Sequence, residues 1–166
     1  MPRCHTGTSA REGSQRYQRH LPELSYFKIL LLLIVTILAA FLRLHRIDTV
    51  PPGDGHDPAL YGVDALAILE GERPIFLESN FGREALYSYL VAACFLVLGQ
   101  GTLAIHVTSA IVGILTIPAV FLAAEVLFAT DEDSLLSRYG GLLSALVMAI
   151  SYWHLNWSRY GVRAIL

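Results

Sequence analysis

From Ala85 to Ala124 the chain carries no Asp, Glu, Lys or Arg. A stretch that long without a charge does not belong to the surface of a water-soluble domain, in which about a quarter of residues are charged. Much of this chain therefore has lipid as its solvent. The whole composition agrees, since 54% of the 166 residues are hydrophobic and 16% are charged. A net charge of -2 offers no basic face for nucleic acid. The two cysteines, Cys4 in a polar tail and Cys94 in an apolar run, give no disulfide framework and no metal cluster.

Gly99-Gln100-Gly101 interrupts the charge-free stretch and reads as a turn, which divides it into two spans, Ala85 to Leu98 and Thr102 to Phe128. The first of these is short, only ~21 Å at 1.5 Å per residue. The second carries Pro118, where a kink is expected. Tyr26 to Leu42 and Tyr139 to Ser158 are two further apolar runs. Lys28 lies near the start of one, where a long side chain can snorkel to the headgroups, and Trp153 and Trp157 anchor the end of the other at an interface. His106 and Glu125 fall near the two ends of the third span, within reach of water. The expected fold is an all-α integral membrane protein with about four transmembrane helices and an amphipathic helix in the first external loop.

Orientation follows the lysine and arginine bias. Residues 1–25 hold Arg3, Arg11, Arg16 and Arg19 and are expected to be a flexible cytoplasmic tail, whereas the loop 43–84 is rich in Asp and Glu and is expected outside. An even number of crossings returns Arg159 and Arg163 to the cytoplasm. Residues 26–166 then form one transmembrane module of a multi-pass protein of the cell membrane. The sequence stops at Leu166 as another apolar segment begins, so a longer parent protein is expected.

The loop has a legible local grammar. Pro51-Pro52-Gly53 is an extended turn, and Asp57-Pro58 has the form of an N-cap followed by proline at the first helical position. Leu60, Val63, Leu66 and Ala67 recur at helical spacing, and Gly71 with Pro74 supplies a stop, so Pro58 to Glu70 is expected to lie along the membrane surface. Asp57, Tyr61 and Asp64 fall on nearly the same side of that helix. Arg83 and Glu84 stand immediately before the second apolar run. Each has a plain structural reading as well: an N-cap aspartate satisfies backbone donors, and a first-turn glutamate is favoured by the helix dipole.

The order of Arg43-Leu44-His45-Arg46-Ile47-Asp48, Pro51-Pro52-Gly53, Asp57 and Gly82-Arg83-Glu84-Ala85-Leu86-Tyr87 resembles the protein mannosyltransferase and aminoarabinose transferase superfamily, glycosyltransferases of the GT-C fold. The similarity extends from about Arg43 to the end, through Ser109-Ala110-Ile111-Val112-Gly113 and Trp153-His154 with Ser158-Arg159. The resemblance implies inverting transfer of a sugar from a polyprenyl-phosphate carrier to a lipid, glycan or protein acceptor on the outer face of the membrane. It implies Asp57 as the catalytic aspartate and Glu84 as a second catalytic carboxylate, with Arg83, Tyr61 and Asp64 as substrate-binding candidates. A carboxylate in reach of the acceptor hydroxyl serves as base, and the ionised phosphate leaving group needs a cation such as Arg83. No cofactor is expected; a divalent metal is left open, with only the sparse set Asp54, Asp57 and Asp64 to hold it. One departure stands out: the family commonly follows its aspartate with glutamate, and here Pro58 follows.

Rival classes remain. The chain is alternatively a non-catalytic membrane protein, either a truncated subunit that binds the lipid carrier or an assembly subunit. A transporter fits less well, because its polar residues should gather near the bilayer midplane and these gather in a loop.

Overall fold

The computed structural model describes residues 25–50, 55–78, 82–129 and 134–165. The tail 1–24 lies outside these, as do Asp54 and the Pro51-Pro52-Gly53 turn. Six helices follow in order: α1 Tyr26–Leu44, α2 His56–Leu69, α3 Leu86–Leu98, α4 Thr102–Leu127, α5 Leu135–Ile150 and α6 Tyr152–Tyr160. Between α2 and α3 a two-residue strand β1, Phe76–Leu77, pairs antiparallel with β2, Arg83–Glu84. A 3-10 turn at Arg163–Ile165 ends the described chain.

Among the described residues two helices are long and apolar enough to cross a membrane: α1 with 19 residues and α4 with 26. At 1.5 Å per residue they extend ~28 Å and ~39 Å, against a hydrocarbon core of about 30 Å. The pair α5 and α6, bent by 56° at Ser151, makes a third candidate if taken as one span. The expected count of four is corrected here. The segment Ala85–Leu98 forms only the 13-residue α3, too short to cross. Its start is fixed because Arg83–Glu84 is committed to the β pair, and its end is fixed by Gly99 at φ +87.

Contacts at the two ends of the bundle set the direction of each helix. Lys28, at the start of α1, bonds Glu125, near the end of α4, at 2.7 Å. At the opposite end His106 of α4 meets the Ile47 carbonyl just beyond α1, at 3.4 Å. α1 and α4 are therefore antiparallel. α5 starts beside the end of α4, where Gly140 and Gly141 permit the approach: a Cβ at either would lie 2.5 Å from Phe128 or Glu125. α5 then runs back, and its Ala149 carbonyl accepts from Arg43 at 3.2 Å. α6 continues along the first half of α4, with Ser158 packed on Gly113 and Gly161 on Ile105 and His106.

Arg159 and Arg163 therefore lie at the loop end of α1, against the Leu42, His45 and Val50 carbonyls and Glu84. This corrects the expectation that they lie on the tail side. With α3 too short to count and α5 with α6 taken as one bent span, three candidate spans are left, and the arginines lie beside the loop.

Two cores hold the fold. Ala39, Ile117, Phe121, Leu142, Ala145 and Ala149 knit α1, α4 and α5. The other core caps the loop end and joins α2 and α3 to the start of α4 through Tyr61, Ala65, Ile68, Tyr87, Val91, Phe95 and Ile105. The outer face of α1 leaves Ile29, Leu30, Leu33, Ile34, Ile37 and Phe41 exposed. A continuous apolar row of this kind is costly in water and ordinary in lipid. α4 passes through Pro118 without a break in the helix.

Candidate functional site

α2 begins two residues earlier than its sequence suggests. Gly55, extended at φ -71 and ψ 169, is the N-cap, and His56 opens the helix. Asp57 therefore sits inside the first turn, exposed, and is not the cap. A substituent on Gly55 would run into the Tyr160 hydroxyl, so the start of α2 is pressed against the end of α6. The buried face is Pro58, Tyr61, Gly62, Ala65 and Ile68. That stripe is rotated from the expected one, and Val63 points outward.

Strand β2 separates two neighbouring charges. Successive residues of a strand point to opposite faces, so Arg83 is turned inward and Glu84 outward. The turn into β2 uses Gly82 at φ +81, where a Cβ would also lie 2.6 Å from the Phe76 ring. Arg83 is 2% exposed and ion-pairs with Asp64. Its guanidinium also stands 4.7 Å from the centre of the Tyr61 ring, a cation–π contact. Tyr61 meets Tyr87 edge-on at 4.8 Å, and the Tyr87 hydroxyl shares a 2.5 Å hydrogen bond with Ser109. Asp64 also accepts from Ser88 at 3.5 Å.

Arg83, Tyr61 and Asp64 thus come together as a buried brace that ties α2 to β2, α3 and α4. A guanidinium so enclosed is not presented to a ligand phosphate.

Glu84 takes a different partner. Its carboxylate accepts from Arg163, with the two side chains 77% and 40% exposed. The Glu84 backbone amide and then the charge of Arg163 hold its carboxyl below the ordinary carboxylate range. Such a group stays ionised and is a weak base. The pair borders an open cleft of 490 Å³ lined also by Leu86, Tyr87 and Ala164. Among the described residues no group of three or more His, Cys, Asp or Glu converges as a cation would require.

The structure places two arginines where the sequence does not put them. The span count puts Arg163 at the tail end, whereas the structure has it at the loop end against Glu84. Arg43 was assigned to the loop, yet it is the last buried residue of α1, with no exposed surface, donating to the Ala39 and Ala149 carbonyls and to His154 Nδ1 at 2.7 Å. Its spacing four residues after buried Ala39 was the available signal. It caps α5 where the last span bends. Comparison of the chain with family models, with characterised proteins and with solved structures found no match.

Proposed function

We propose that this chain is a membrane glycosyltransferase module that moves a sugar from a polyprenyl-phosphate carrier to an acceptor at the loop end of the helix bundle, on the outer face of the membrane, with inversion. The observation that carries the reading is the meeting of Glu84 and Arg163 at an open cleft on the same end of the bundle as Asp57. The order of loop motifs from Arg43 to Tyr87 supports it.

In this reading Asp57 takes the proton from the acceptor hydroxyl as that oxygen attacks the anomeric carbon from the face opposite the phosphate. The bond to the carrier phosphate breaks in the same displacement, and the phosphate leaves as an anion that needs a cation. Arg163 supplies it in place of Arg83, because Arg163 is exposed at the cleft and Arg83 is enclosed. Glu84, held ionised, positions the Arg163 guanidinium. Tyr61, Asp64 and Arg83 hold α2 in place, and with it Asp57.

Membranes carrying the protein are supplied with polyprenyl-phosphate-linked sugars, and consumption is compared for the native chain and D57N. Loss of a general base lowers turnover about 10²- to 10⁴-fold. Turnover that is unchanged in D57N overturns the assignment of Asp57, and absence of any consumption by the native chain overturns the transferase reading.

A further inference from the structure

We propose that a second cavity at the loop end of α1, separate from the Glu84 cleft, binds the phosphate headgroup of an anionic lipid. The cavity measures 320 Å³ and is lined by the basic residues His45, Arg46 and Arg159 over an apolar floor of Val50 and Leu155.

Among the described residues its arginines have no carboxylate paired with them. Among the described residues the ion pairs join Lys28 to Glu125, Arg83 to Asp64 and Arg163 to Glu84, and none includes Arg46 or Arg159. Arg159 instead donates to the carbonyls of Leu42, His45, Arg46 and Val50, the turn that closes α1. A helix C-terminus carries about half a negative charge, so the full charge of Arg159 more than offsets it and Arg46 adds another. An anion is what this corner attracts.

The site is built in advance of any ligand. Arg46 adopts φ +54, the left-handed region that few side chains enter. It is held there because its carbonyl accepts from the Val50 amide at 3.0 Å and from Arg159 at 3.4 Å. The backbone that carries the exposed Arg46 side chain is thereby held at the cavity edge.

The apolar surroundings select an amphiphile over a soluble anion. The Phe41 ring packs on His45 at 5.1 Å and continues the exposed row of α1 formed by Ile34, Ile37 and Leu38 up to the cavity. Tyr152, 77% exposed, flanks the other side. A phosphate seated among the arginines would leave acyl chains lying along α1, and a zwitterionic headgroup would bring its own cation into an already positive corner. The inference does not depend on the transferase reading.

The test uses the purified full chain in detergent micelles, with binding of phosphatidylglycerol, phosphatidylcholine and inorganic phosphate followed by native mass spectrometry and by competition against a fluorescent phosphatidylglycerol. The expected result is retention of phosphatidylglycerol with no retention of phosphatidylcholine, at least tenfold weaker binding in R46E, several-fold weaker binding in the milder R46Q, and less than twofold change in R163Q. Equal retention of the two lipids overturns the proposal, as does full native affinity in R46E and R46Q. Displacement of the lipid by millimolar inorganic phosphate assigns the site to a soluble anion and overturns the lipid. Loss of binding in R163Q alone places the lipid in the Glu84 cleft and also overturns it.

Discussion

Lys28 Nζ and Glu125 Oε2 meet at 2.7 Å across 97 positions of sequence, and the Glu125 side chain is only 2% exposed while that of Lys28 is 16% exposed. The pair fixes the start of α1 against the end of α4, and the asymmetry in exposure makes its two halves unequal. Removing Lys28 strands a carboxylate that is enclosed by Gly141. Removing the charge of Glu125 leaves an ammonium that can reach outward.

Breaking a buried pair from one side costs about 3–5 kcal/mol, and that range applies to K28M. E125Q should cost clearly less, and K28M/E125Q should recover most of the loss of K28M. Unfolding in detergent, followed by circular dichroism with increasing denaturant, measures all three. An equal cost for the two single variants contradicts the burial argument.

The Arg83 brace makes a prediction that separates structure from ligand binding. Lysine keeps the charge but loses the planar fork and the flat approach to an aromatic ring. R83K should therefore lower stability by about 1.5–3 kcal/mol, the range for hydrogen bonds to charged groups. Hydrogen exchange at β1 and β2 should rise with it. A fully stable R83K that loses only affinity for a phosphate-bearing substrate would return Arg83 to the role first expected of it.

Acid should release Arg163 from Glu84 late. The folded carboxyl lies below its unfolded value of about 4.3, chiefly through its own backbone amide and then through Arg163. A group depressed on folding adds stability above its unfolded pKa and loses it as pH falls through the folded value. The contact should persist at pH 5 and disappear only below the usual carboxylate range. The side-chain carboxyl carbon shift of Glu84, followed by NMR as pH is lowered, reports this. E84Q should abolish that titration and leave the fold intact, because both side chains are substantially exposed.

The sequence showed α1 and α4 plainly, because runs as long and as apolar as Tyr26–Leu44 and Thr102–Leu127 have few other uses. It could not separate α3 from a span. Leu86–Leu98 is as apolar as a membrane helix, and what shortens it is the pairing of Arg83–Glu84 with Phe76–Leu77, a non-local event. That one error carried the sidedness of Arg159 and Arg163 with it. Tyr61 and Asp64 were legible as neighbours on one helix side and Arg83 as a charge before α3, but not their meeting or their burial, which depend on the inward turn of β2. Arg43 was hidden because an arginine at the end of an apolar run reads as the first residue in water. Burial against α5 and His154 makes it the last residue of the core instead.

The site assembled here depends on Arg163 emerging at the same end of the bundle as the loop that carries Asp57 and Glu84. The direct measurement is labelling of single cysteines by a membrane-impermeant thiol reagent on oriented vesicles, in a C4S/C94A background. E72C in the loop and A164C beside Arg163 are both exposed positions. Both should react from one face of the membrane and neither from the other. Reaction of E72C and A164C from opposite faces would contradict it, since the last pass would then end on the far side and the Glu84–Arg163 site could not form.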